Sequence, residues 1–247
     1  MDLKDKVIWI TGSARRLGRA MALDLAGRGA DIVVHYSTSR AEAEDAAREI
    51  EALGRRALIV QGDQCKVADI ARIVGEIDKG FGRLDVLINS ASNFKRTPIE
   101  RITEAQWDDS IGVNLKGPAF CALEAAKLIR RGGGGKIINM ADWAGLRPYK
   151  HYLPYLIAKA GIVQLTKILA LELAPEIMVN AIAPGPVLLP EAMPEEEMQG
   201  VLRHVPLGRV GSPRDIVATA AFLLEGSDYI TGQILCVDGG RLIANPG

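Results

Sequence analysis

The chain has 247 residues, 48% of them hydrophobic and 24% charged, a length that α/β domains reach undivided and an apolar share ample for one packed core. Lysine plus arginine equals aspartate plus glutamate at 30 each, which removes any overall field favouring nucleic acid or an anionic membrane surface. The opening MDLKDKVIWITG puts charges ahead of a short apolar run ending in a glycine turn, so it reads as a first strand and not as a secretory leader.

From there, short β-branched runs alternate with stretches of helical period. Strands are expected at residues 7–11, 32–35, 57–61, 86–89, 136–140, 178–183 and 233–237. Between them, Ser39 with Glu42 and Thr103 with Gln106 have capping-box spacing, and Gly54 stands where a helix would close. Ser212–Pro213 sets an N-cap before a first-turn proline. Near-continuous apolar strands separated by helices imply an α/β fold: a doubly wound, seven-stranded parallel sheet of the Rossmann type. Residues 1–247 read as a single domain, without fixed-period repeats or low-complexity tracts.

Residues 184–205 begin Pro- and Glu-rich and are only weakly periodic. They read as a surface loop or as a substrate lid; their place after a strand's C-terminal end favours the lid. No run of ~18 apolar residues suggests a membrane span. Cys65, Cys121 and Cys236 are odd in number and far apart, which suits reduced, mostly buried thiols of a cytoplasmic protein. No cluster of His, Cys and acidic residues has metal-ligand spacing.

The segment Thr11-Gly12-Ser13-Ala14-Arg15-Arg16-Leu17-Gly18 follows the first strand and opens the first helix. Gly12 permits a tight turn, Gly18 permits close helix–sheet approach, and the helix N-terminus offers free N–H groups to a pyrophosphate. A ribose-selecting acid would stand near the end of the second strand, but that strand runs into Tyr36-Ser37-Thr38-Ser39-Arg40, with no acid before Glu42. Hydroxyls and guanidinium groups suit a 2′-phosphate, so Arg15, Ser37, Thr38 and Arg40 point to NADPH over NADH, unless those arginines are merely solvated surface. Further along, Tyr155 and Lys159 are the only Tyr–Lys pair at i, i+4 in that order. The spacing puts phenol and ammonium on one helical face, where the ammonium would lower the phenol from its ordinary range near ~10.

The Thr11–Gly18 turn, Asn89-Ser90-Ala91, Asn114, Tyr155 with Lys159, Pro184-Gly185 and Asp238-Gly239-Gly240, in that order and over nearly the whole chain, resemble the short-chain dehydrogenase/reductase family. The resemblance implies Tyr155 as proton donor, Lys159 as the group that orients the nicotinamide ribose, and Asn114 as holder of a proton-relaying water. It implies Asp63 on the adenine, and Leu17, Tyr36, Gln64, Asn89, Ser90, Ala91, Pro184, Gly185 and Val187 along the cofactor groove. With the apolar C-terminal strand it also implies a homotetramer acting on a small-molecule substrate, with neither nucleic acid nor membrane as partner.

Two departures stand out. Arg16 occupies the middle glycine of the turn, and Asp142, thirteen residues before Tyr155, occupies a serine position. An ionised aspartate cannot donate to a ketone oxygen and would repel a developing alkoxide. Both departures, with His35-Tyr36, Ser92-Asn93-Phe94 and the LELAP stretch at 171–175, resemble the pteridine reductase branch. That likeness implies Arg16 over cofactor phosphate and pterin, Phe94 stacked on the pterin, Ser92 on phosphate or substrate, and Asp142 on ring nitrogens. Phe94 also fits as a hydrophobic plug, and Trp143 as floor of the substrate pocket, whereas Trp107, His151 and His204 read as structural. The leading expectation is NADPH-dependent reduction of a dihydropterin; the alternative is a carbonyl reductase of 3-oxoacyl thioesters or sugar-derived ketones.

Overall fold

A computed structural model describes residues 1–189 and 193–244. Seven strands form one parallel sheet: β1 (Val7–Ile10), β2 (Asp31–Tyr36), β3 (Ala57–Gln61), β4 (Val86–Asn89), β5 (Gly135–Met140), β6 (Ile177–Pro184) and β7 (Ile234–Val237). Their order is β3-β2-β1-β4-β5-β6-β7, so the chain reverses direction across the sheet beside β1. Each strand lies within a residue, at either end, of its sequence expectation, because the central strands are covered on both faces and read as mainly apolar runs.

The helices α1 (Arg16–Gly27), α2 (Arg40–Ala52) and α8 (Pro213–Ala221) cover one face, where Ile8 and Ile10 of β1 meet Met21, Leu25, Ile50 and Ile216. On the other face, α3 (Val67–Phe81), α5 (Gly117–Arg131) and α6 (Leu153–Glu172) bury Val7 and Trp9 against Ile70, Ile73 and Leu169. Strand alternation thus divides the core in two. Helix α6 is long and apolar enough to cross a membrane, but half of that stretch is buried inside the protein, where it serves as a core helix. Two shorter helices, α4 (Glu104–Ile111) and α7 (Glu195–Leu202), complete the set among the described residues.

Some local expectations hold and some do not. Thr103 and Gln106 cap α4 reciprocally, and the Asp215 carboxylate accepts from both the backbone N–H and the hydroxyl of Ser212 at the start of α8. Ser39 makes no side-chain cap to α2. Its ψ of 65° departs from the extended backbone that aims an N-cap hydroxyl at the first turn, and Glu42 turns instead to Arg15 at 3.4 Å. The cysteines are not mostly buried: Cys121 is, Cys65 is half-buried and Cys236 is exposed. Trp107, expected to pack, is exposed on α4.

Candidate active site

The turn between β1 and α1 is shaped by three residues of positive or crowded backbone. Gly12 has φ +67°, and a Cβ there would lie 2.9 Å from Ala91 Cα; a Cβ on Gly18 would lie 2.5 Å from the Gly12 carbonyl oxygen. Neither position admits a side chain. Arg16 also adopts a left-handed φ of +53°, so the backbone of the usual glycine persists without one. Its guanidinium donates to the Leu188 carbonyl at 2.8 Å, tying the turn to the segment after β6. The first turn of α1 carries no acid, and Arg15 offers no side-chain cap, which leaves its N–H groups open to an anion. This cradle fits the pyrophosphate of a dinucleotide.

His35 holds the cradle in place, a role sequence reasoning missed. Its Nδ1 accepts from the Gly12 N–H at 3.0 Å while Nε2–H donates to the Gly62 carbonyl at 3.1 Å. Gly12 can only donate, so the bonds select the Nε2–H tautomer, and burial lowers the imidazole to about 4. Ser13 and His35 bond each other as well, through Ser13 N–H to His35 O and His35 N–H to Ser13 Oγ. The signal was a histidine in an otherwise apolar strand.

At the end of β2, Tyr36 is half-buried and Ser37 and Thr38 are exposed. Arg15 and Arg40 are not free cations: they pair with Glu42 at 3.4 Å and Glu44 at 2.9 Å. Asp63 Oδ1 accepts from Cys65 N–H, and Gln64 Nε2 donates to Val113 O at 2.7 Å while its buried Oε1 has no protein partner. Thr11 Oγ1 accepts from the N–H groups of Ser90 and Ala91, holding that stretch against the turn. The Asn89 amide is buried, with its donor spent on Asn139 and Pro118 O, so that side chain props the sheet. Pro184 ends β6, Gly185 donates to Val237 O with no room for a Cβ beside Asp238, and Val187 is buried.

The catalytic candidates converge where β5 meets α6. Tyr155 Oη donates to Asp142 Oδ2 at 2.6 Å, and Asp142 Oδ1 accepts from Ala144 N–H at 2.8 Å, capping the short turn Trp143–Gly145. Lys159 is buried and donates to the Met140 carbonyl at 2.8 Å, with Nζ 5.6 Å from the Tyr155 ring centre. Burial lowers Lys159 to about 8 and raises Asp142 above the usual carboxylate range. Tyr155 is raised well above its ordinary value, first by burial and then by the neighbouring Asp142. This corrects the expected lowering: the ammonium is aimed at a carbonyl and not at the phenol, and the carboxylate lies closer. The neutral phenol is the form that carries a proton to give.

Asn114 sits in a π-turn, Gly112–Lys116, between α4 and α5. Wide turns of this kind recur at functional sites. Its Oδ1 accepts from Ser92 Oγ at 2.6 Å, and its Nδ2 donates to Asn93 and to Ser110 O, so Asn114 orders the loop that carries Phe94.

Phe94 is 55% exposed, stacked on Tyr152 at 4.3 Å and edge-on to Tyr155 at 4.8 Å. Tyr149 meets Tyr152 edge-on at 5.4 Å and stacks on Trp143 at 5.6 Å. The result is a continuous aromatic wall beside the Tyr155 hydroxyl, suited to an apolar or flat substrate. Tyr149 and Tyr152 went unremarked in the sequence, although both precede Tyr155 at steps of three. His151 serves through its carbonyl, which accepts from Thr97 N–H at 2.6 Å, and the His204 ring bonds Gly200 O at 2.9 Å. Among the described residues no group of three or more His, Cys, Asp and Glu is arranged to hold a metal.

Residues 12–241 match the family model described as enoyl-(acyl carrier protein) reductase. The chain is 37% identical over 235 residues to 3-oxoacyl-[acyl-carrier-protein] reductase FabG of Staphylococcus aureus, covering 94% of this chain and 96% of that protein. Among solved structures it resembles a protein of Sinorhizobium meliloti 1021, provisionally described as a short-chain alcohol dehydrogenase, with TM-score 0.93, 33% identity and 99% of both chains covered. It also resembles acetoin dehydrogenase from Enterobacter cloacae, with TM-score 0.88, 35% identity, and 98% and 97% coverage. The pteridine reductase branch is not among these likenesses. A doubly wound sheet, a glycine-cradled dinucleotide turn and a Tyr155/Lys159 pair beside it, matched over nearly their whole length by such relatives, place the chain in the short-chain dehydrogenase/reductase family of oxidoreductases that use a nicotinamide cofactor.

Proposed function

We propose that this enzyme is an NADPH-dependent carbonyl reductase. The observation that carries the reading is the buried Tyr155 hydroxyl, which burial and the neighbouring Asp142 hold in its neutral, proton-bearing form beside Lys159. The objection that an aspartate cannot serve a ketone applies to the ionised form; a protonated carboxyl donates as a serine would. Reduced nicotinamide, when bound, supplies a hydride. Tyr155, turned from Asp142, gives its proton to the oxygen of the carbonyl being reduced, Lys159 holds positive charge behind the phenol, and Asp142, when protonated, can offer a second hydrogen bond to the developing alkoxide. The relatives whose names specify a ketone or 3-oxoacyl substrate support this class.

The cofactor reading rests on the end of β2, where no acid repels a 2′-phosphate. The Arg15–Glu42 and Arg40–Glu44 pairs are exposed and weakened by solvent, so a phosphate can draw either guanidinium away. Exposed Leu123 on α5, with Ile157, Ile168 and Leu171 on α6, leaves apolar surface that a homotetramer in the cytoplasm would cover; light scattering tests that state. Of the expected lid at 184–205, residues 190–192 lie outside the described residues; residues 186–189, tied to the cradle through Arg16 and Leu188, act as part of that lid in this reading.

Reduction of a dihydropterin is the second reading, favoured by Asp142 in a hydroxyl position and by the open face of Phe94. NADPH oxidation against a β-keto ester and a dihydropterin decides between them. The carbonyl reading expects ketone turnover that survives Asp142→Ser. Turnover of the pterin alone, lost on Asp142→Ser by 10²–10⁴-fold, overturns it.

A further inference from the structure

The turn after β7 brings a second kind of group to the aromatic wall. Asp238 accepts from the N–H groups of Gly240 and Leu242, folding the chain back so that Arg241 lies over the Trp143 ring at 5.0 Å, next to Asp142. Arg241 Nη1 donates to His204 O at 3.2 Å. Arg147 reaches the same turn from the start of the loop before α6 and donates to the carbonyls of Leu242 and Ala244. Both side chains are partly buried, and among the described residues neither has a carboxylate within ion-pairing distance. Elsewhere in the fold, partly buried guanidinium groups such as Arg55 are matched with acids.

Two like charges near each other repel, and partial burial with Arg147 nearby lowers Arg241 below the ordinary guanidinium range. Carbonyl acceptors occupy only part of each donor fork, which leaves further N–H groups that meet no acid among the described residues. The Arg241 guanidinium lies over the Trp143 ring, a position from which it can meet an anion at the end of the aromatic wall. Resting on the carbonyl reductase reading, we propose that Arg147 and Arg241 form an anion-recognition end of the active site, and that the substrate is an oxo acid whose carboxylate they bind.

Two measurements test it. With NADPH, kcat/KM is compared for acetoacetate, levulinate and their methyl esters; at least one acid is expected to exceed its ester by about 10-fold or more, through KM. Arg241→Gln and Arg147→Gln should raise KM for the acid by about 10-fold more than for the ester, with Arg241→Lys partly restoring the acid. Calorimetric titration of the NADP-loaded enzyme with benzoate and with benzamide reads the same site without chemistry, and benzoate should bind about 10-fold more tightly in a manner lost with Arg241→Gln. Equal binding of the two, or equal kcat/KM for acids and esters in the unmodified enzyme, overturns the proposal while leaving the reductase reading intact. Selective benzoate binding with no turnover of any ketone sustains the anion site and removes the carbonyl reading.

Discussion

Acid should loosen the dinucleotide cradle through one residue. His35 is 2% exposed, makes hydrogen bonds from both ring nitrogens, and is lowered by burial from 6.5 to about 4. A depressed base favours the folded state fully above its unfolded pKa, and that contribution is lost as pH falls from 6.5 towards the folded value. The unfolded chain takes up the proton first. A difference of about 2.5 pK units corresponds to roughly 3 kcal/mol over the whole window, of which about 2 kcal/mol disappears between pH 7 and pH 5. Replacing the ring with a neutral amide in His35→Asn removes the titration while lowering stability at every pH. The assay is equilibrium urea unfolding of both proteins at pH 7, 6 and 5, with Kd for NADPH measured alongside. The unmodified protein should lose about 2 kcal/mol more than His35→Asn across that range, and its Kd should rise in step, because a protonated ring cannot accept from Gly12 N–H. Parallel pH dependences of the two proteins would refute the assignment of the neutral tautomer.

Three further outcomes follow from the site. Because Lys159 is lowered to about 8 and acts as a cation, kcat/KM for reduction should be level below that value and fall as pH rises through it; Lys159→Met should be slow and lack that limb. Gly12→Ala and Gly18→Ala both force a Cβ to within 3.0 Å of backbone atoms, so each should weaken NADPH binding by about 10-fold or more, as calorimetry can read, with any stability loss following in thermal melts. NADPH should exceed NADH in kcat/KM by at least about 10-fold, and Ser37→Asp should narrow or reverse the ratio by placing a carboxylate where the 2′-phosphate lies; equal use of both by the unmodified enzyme contradicts the reading of β2.

The sheet was legible because the central parallel strands, covered on both faces, need mainly apolar side chains in short runs set between helical stretches. Tyr155 and Lys159 were legible because helical spacing alone puts them on one face. What escaped depends on partners distant in sequence. Glu42 has the spacing of a cap, but Arg15, brought near by the sheet, competes for it. Lys159 stands one turn from Tyr155, yet the Met140 carbonyl at the end of β5 takes its ammonium, and Asp142 then dominates the phenol. Arg16 looked like a broken motif, while the backbone keeps the glycine conformation beneath it. The pairing of Arg147 with the turn that carries Arg241 has no local signature at all, since the return of the chain after β7 creates it.

The central claim is that Tyr155 delivers the proton in reduction of a carbonyl. Single-turnover oxidation of enzyme-bound NADPH by a β-keto ester, followed in the unmodified enzyme and in Tyr155→Phe, tests it most directly. Removal of only the hydroxyl should slow the chemical step by 10²–10⁴-fold, with Kd for NADPH unchanged within about twofold. A Tyr155→Phe enzyme that oxidises NADPH at close to the unmodified rate would contradict the account.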